Sequence, residues 1–178
     1  KPLQLTELAA QEFDKATLNR EMKKVGVVGE IYLKFNPFAH KHVLDWLMER
    51  GVEVVPPMLT DFFTQFFVNR KTKKNYMTDN DFIPNWIFDK IYFYLKKIVH
   101  LFDIAGSKFR YYIPFNDIFE EAEEGEKIIN MNAQFGEGWL LPAEIATYYK
   151  QGVHNVISLQ PFGCIANHII VRGIEKRL

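Results

Sequence analysis

The sequence holds one thiol, Cys164, in the run Gln160-Pro161-Phe162-Gly163-Cys164, and His168 follows it at i+4. A cysteine just after a Pro/Gly corner and at the start of a helical pattern meets the free N–H groups of that helix. Those groups favour a thiolate, the form that acts as redox group or metal ligand. Residues four apart share a helix face, so a Cys164–His168 nucleophilic pair is one reading. No third, orienting residue can be named, and a small buried thiol with a capping histidine is the plainer alternative. Two further polar groups lie among aromatics in loops: Glu30, Lys34 and Asn36 early in the chain, and Glu137 with Trp139 late in it. Gln160 and Gly163 complete the candidate ligand-binding set. Loop residues of this type either contact a ligand or cap and solvate the backbone.

Other chemistries are poorly served. A lone cysteine rules out an internal disulfide and a metal site built from several cysteines of this chain. His40 and His42 are two apart and do not face each other on a helix, which suits a surface role better than a metal pair. The acidic run Glu120, Glu121, Glu123, Glu124 and Glu126 lacks calcium-loop spacing and reads as a solvated face. Gly136-x-Gly138 has no clear strand before it and no third glycine, so it is a weak dinucleotide fingerprint. There is no P-loop, His-Glu-x-x-His or Gly-x-Ser-x-Gly. No complete catalytic set can be assembled from this chain alone.

The elements that would position these residues follow from periodicity. Short apolar runs rich in β-branched residues predict parallel strands at about 25–29, 52–56 and 153–159, the last leading straight into the Cys164 corner. Phe38 to Arg50 follows helical spacing, giving a βαβ unit closed by Pro56-Pro57. An aromatic helix is expected after Thr60 or Asp61, a long one from Asp79 to Asp103, a short strand at 108–113, and helices at 115–124 and 140–151. The fold expected is α/β, a three-layer Rossmann- or flavodoxin-like parallel sheet. Residues 1–24 form a helical lead-in, and 25–178 form one domain carrying an aromatic helical insertion at about 59–125. In such sheets ligands sit beyond the carboxyl ends of the strands.

Composition narrows the partners. The 22 basic and 22 acidic residues cancel, which removes the electrostatic case for nucleic acid or an anionic membrane. Asp89, Lys90, Lys96 and Lys97 interrupt every apolar window long enough to span a bilayer. With 16 Phe, 8 Tyr and 3 Trp among 178 residues, there is more aromatic surface than one small core needs. The long helix either fills the core or meets a partner, which is the rest of a parent protein or a homo-oligomer mate. A start without Met and an end without a stop signal suggest a piece of a longer chain. No signal peptide is visible and there is a single cysteine, so the expected location is the cytoplasm.

Val25-Gly26-Val27-Val28-Gly29-Glu30-Ile31-Tyr32, Asn36-Pro37-Phe38, Gly136-Glu137-Gly138-Trp139-Leu140 and Leu159-Gln160-Pro161-Phe162-Gly163-Cys164-Ile165-Ala166-Asn167-His168 together resemble the large activase-type proteins related to the 2-hydroxyglutaryl-CoA dehydratase activators. The similarity is to their dehydratase-subunit-like domain downstream of the ATPase modules, and it covers about residues 25–178. The resemblance implies an anaerobic system in which an ATP-driven iron–sulfur activator passes an electron to a dehydratase acting on a 2-hydroxyacyl-CoA. It implies Cys164 as one ligand of a [4Fe–4S] cluster, incomplete here for want of other cysteines, and no ATP hydrolysis by these residues. The implied partners are the ATPase modules of the parent chain or a dehydratase component. A purely structural docking module without cofactor is the alternative.

Overall fold

The computed structural model describes residues 1–76 and 83–177. The chain divides into two compact units, Lys1–Arg20 with Asp79–Asn116, and Glu21–Thr78 with Asp117–Leu178. The domain plan expected from sequence therefore changes. The first residues pair with the long helix instead of forming a lead-in to one domain, and the expected 59–125 insertion is split between the units.

In the first unit, α1 (Pro2–Ala16) packs along α5 (Asn85–Gly106). Pro2 opens α1, where its missing N–H costs nothing, and Pro84 precedes α5 in extended conformation. The expected helix start at Asp79 lies outside the described residues. Residues 108–113, expected to form a strand, form turns instead. Their polar groups go to turns and to a side chain: the Phe109 and Tyr112 N–H groups donate to the Gly106 and Phe109 carbonyls at 2.9 and 3.0 Å, and the Asp14 carboxylate accepts from the Arg110 backbone N–H and from its Nε, both at 2.8 Å. The Asp103 carboxylate accepts from the Tyr112 hydroxyl at 2.7 Å and the Phe115 N–H at 3.0 Å. A backbone satisfied in this way has no need of a ladder.

The second unit is α/β. Strands β1 (Lys23–Gly29), β2 (Val52–Val55) and β3 (Val156–Leu159) form a parallel sheet in the order β2-β1-β3. Lys23 to Gly26 pair with Val52 to Val55, and Gly26 to Gly29 pair with Val156 to Leu159. The central strand carries the core, with Val27 and Val28 fully buried. Two short helices, α2 (Ile31–Phe35) and α3 (Val43–Glu49), connect β1 to β2. Then α4 (Leu59–Tyr76), α6 (Ile118–Glu126) and α7 (Leu140–Lys150) precede β3. A π-helical stretch, Ala166–Val171, running into α8 (Arg172–Ile174), follows it.

Two close approaches fix α7 against the sheet and helix α6. A side chain at Gly26 would put its Cβ 2.6 Å from the Tyr148 ring, so the bare backbone lets that ring lie on β1. Its hydroxyl then donates to the Val55 carbonyl of β2 at 3.0 Å. Gly125 lies inside α6, and a Cβ there would come within 2.8 Å of the Ala143 Cβ on α7. Among the described residues no helix is long and apolar enough to cross a membrane.

Candidate functional site

The candidate residues fall in two places at the carboxyl ends of β1 and β3. The first is the corner itself. Gly29 ends β1 with φ +125, a value side chains avoid, and a Cβ there would lie 2.1 Å from the Leu159 carbonyl oxygen. The two strand ends are thus pressed together, and the Glu30 N–H donates to that same carbonyl at 3.0 Å. Beyond Leu159 the chain projects outward, so that Phe162 is fully exposed and Gly163 takes φ +87.

Cys164 lies at the end of this loop, half-buried, one residue before the helix begins. Its carbonyl accepts from the His168 N–H at 2.8 Å and closes the first turn. Its sulfur accepts from Asn167 Nδ2 at 3.1 Å. The thiol's polar neighbour is thus Asn167, fully buried and with Oδ1 left without a hydrogen bond. The His168 ring turns to the loop, its Nε2 lying 2.8 Å from the Pro161 carbonyl, and braces the corner. Gln160 Nε2 donates to Ser158 Oγ at 3.1 Å. The i+4 spacing of Cys164 and His168 does not produce a Cys–His pair, because the π-helical winding and the Pro161 carbonyl draw the imidazole away.

The second place is buried. Lys34 on α2 is 3% exposed, and its Nζ stands 3.2 Å from Glu144 Oε1 and 3.5 Å from Glu137 Oε1. Asp61 of α4 and Glu121 of α6 adjoin this cluster and are themselves 2% exposed. One cation thus faces Asp61, Glu121, Glu137 and Glu144, and desolvation dominates their titration. Burial pushes Asp61 up to about 7 and Glu144 up to about 8, against the pull of Lys34. Burial, and then the charges of Asp61 and Glu144, hold Glu121 well above the usual carboxylate range. Burial raises Glu137 as well, against the pull of Lys34 and a backbone N–H from Ile31. Burial thus favours the protonated forms of these carboxyls, against the charge of Lys34.

The sequence-derived site residues divide accordingly. Glu137 belongs to the buried cluster. Cys164, Gly163, Gln160 and His168 share the corner. Glu30 and Asn36 serve as caps: Glu30 Oε2 accepts from the Leu33 N–H at 2.9 Å, and Asn36 Oδ1 accepts from the N–H groups of Phe38 and Ala39 at 3.0 and 3.2 Å. Trp139 is fully buried in the core, its Nε1 donating to Asn69 Oδ1 at 2.6 Å. His40 is buried and its Nδ1 accepts from the Val43 N–H, while the exposed His42 meets Asp45.

Glu144, Asp61 and Glu121 are the functional-type residues that sequence reading passes over. Glu121 corrects the view of the acidic run as a solvated face. The missed signal is positional: Glu144 falls within the apolar stripe Leu140, Leu141, Tyr148, and Asp61, Gln65 and Thr72 fall on the stripe of Val68. On α4 the polar stripe is turned inward, while Phe63 and Phe66 are exposed.

As a metal centre the arrangement falls short. Among the described residues no group of three His, Cys, Asp or Glu side chains is arranged to hold an ion, and Lys34 already occupies the centre of the carboxylates. A [4Fe–4S] cluster needs about four ligands, mostly thiolates, and the corner supplies the sulfur of Cys164 with an amide beside it. These residues do not by themselves fit a complete cluster. Comparison with protein-family models, with curated proteins and with solved structures finds no match.

Proposed function

We propose that this chain is a non-ATPase module of a 2-hydroxyacyl-CoA dehydratase activator-like iron–sulfur protein. The module is a Rossmann- or flavodoxin-like domain acting in the cytoplasm, and it supports electron transfer or the binding of an acyl-CoA or a partner. The observation that carries this reading is the placement of Cys164. It stands half-buried on a projecting, self-braced loop at the carboxyl ends of two adjacent parallel strands, where such sheets bind ligands. The resemblance of the Gln160 to His168 run supports the same corner. Cys164 contributes one ligand, and the ATPase modules of the parent chain or a dehydratase component contribute the others.

The test is anaerobic reconstitution of the protein and of Cys164→Ala with iron and sulfide, with and without a thiolate-bearing partner, followed by iron analysis and EPR after reduction. Iron held by the wild type and lost in the variant supports the reading. If Cys164→Ala retains the same iron, or neither protein binds any in either condition, the cluster role is overturned.

A second reading, a docking module without cofactor, has its own observation. On α5 the side chains of Trp86, Ile91, Phe93, Tyr94, Ile98 and Ile104 are about half exposed within this chain, an apolar face of the kind that partners cover. A protein that takes up neither iron nor acyl-CoA but binds partners through this helix would establish the second reading.

A further inference from the structure

Among the described residues the order β2-β1-β3 leaves β3 paired on one side only. The Gly26 N–H donates to the Asn155 carbonyl at 2.8 Å and the Glu30 N–H to the Leu159 carbonyl at 3.0 Å. Residues 155, 157 and 159 therefore turn their main-chain groups to β1, and strand alternation sends those of Val156 and Ser158 to the open edge. Besides being kept short, as this four-residue strand is, free edges are normally blunted by lysine, proline or a bulge. Val156-Ile157-Ser158-Leu159 has none of these. A groove of about 1150 Å³ has Val156 and Ser158 of this strand among its walls, with Ile145, Tyr149 and Val171.

The rim of the groove carries both signs of charge: Glu124 is paired within the chain with Lys127 and Lys150, and Glu175 and Arg177 lie beside them. A surface that meets its own twin needs that mixture, because each copy must offer both members of every cross-interface pair. Acidic and basic residues balance over the whole chain, so two copies are not held apart by net charge.

We propose that β3 is an association edge for a second copy of this chain, the two β3 strands pairing antiparallel about a two-fold axis at Ile157. In this register Val156 lies opposite Ser158 of the second copy, and both outward residues of each strand are used, giving about four backbone hydrogen bonds. The side chains of Val156 and Ser158 then stand on the same face as those they oppose, and the two sheets become one continuous sheet.

The experiment is light scattering on the size-excluded protein over a concentration series from about 1 to 300 µM, paired with residue-resolved hydrogen exchange. Two variants accompany it. Ser158→Pro removes the outward N–H without touching the bonds to β1, and Ser158→Lys places a charge on the edge. We expect a concentration-dependent dimer in the wild type, with slowed exchange at Val156 and Ser158 in the dimer. Ile157 and Leu159, bonded to β1, stay protected at every concentration. At least one variant should keep wild-type circular dichroism and be monomeric throughout, with dimerisation weakened at least tenfold. A wild type that is monomeric over the whole range overturns the proposal. So does a dimer that persists in a folded variant with Val156 and Ser158 still exchanging freely, which would place the contact elsewhere, such as on α5.

Discussion

Replacing Lys34 by Met probes the buried cluster most directly, because methionine keeps an unbranched, flexible side chain while removing the charge. Lys34 Nζ has Glu144 at 3.2 Å and Glu137 at 3.5 Å, with both partners buried. At an effective dielectric of about 20, each contact is worth about 5 kcal/mol before desolvation. Removing one member of a buried pair costs about 3–5 kcal/mol net. The cost depends on pH in a definite direction. Asp61 and Glu144 have folded values of about 7 and about 8, raised from the ordinary 3.8 and 4.5. The folded state therefore binds protons that the unfolded chain has released. Their contribution to stability is fully present below about pH 4 and is lost as pH rises through 7 to 8. At pH 5 Asp61 and Glu144 are neutral, Lys34 keeps at most Glu137 as a charged partner, and Lys34→Met should cost clearly less than at pH 8. At pH 8 the variant should lose about 3–5 kcal/mol, which for a chain of this size is a fall in Tm of about 6–20 °C. The assay is thermal unfolding followed by the fluorescence of buried Trp139, at pH 5 and pH 8. An equal loss at both values would refute the reasoning and assign Lys34 a packing role only.

Glu144→Gln keeps the shape and removes one raised carboxyl, so the decline in stability between pH 5 and 8 should flatten, by up to a few kcal/mol. An unchanged slope in the same melts would count against the assignment. Gly29→Ala must both leave φ +125 and clear the Leu159 carbonyl, and should cost about 2–4 kcal/mol in urea unfolding; a near-neutral result would mean the strand ends separate freely. Tyr148→Phe removes the buried donor to the Val55 carbonyl and should cost about 1–2 kcal/mol in the same assay. Because Cys164 is half-buried and bonded by Asn167, Asn167→Ala should raise its rate of alkylation several-fold, measured with iodoacetamide under native conditions; a slower or equal rate would remove Asn167 as its restraint.

The three strands and the order of their helices were legible in the sequence, because β-branched apolar runs and Pro/Gly boundaries are local signals. The same signals marked the Cys164 corner. What local pattern could not decide was which face of each helix turns inward. The Phe-rich look of α4 suggests an aromatic interior, yet Asp61, Gln65 and Thr72 face inward with Val68. Asp61 does so within reach of the Lys34 charge, and that lysine comes from α2, before β2 in the chain. Lys34 and Glu144 are 110 positions apart, and no periodicity links them. The fate of the long helix was likewise a tertiary matter, since α5 chose α1 from the start of the chain as its neighbour. Sequence alone determined the parallel α/β plan and the thiol at its corner, through backbone preference and hydrophobic spacing. Tertiary structure decided that Asn167 holds that thiol and that buried carboxylates gather round one lysine, because burial and charge pairing exist only once distant segments meet.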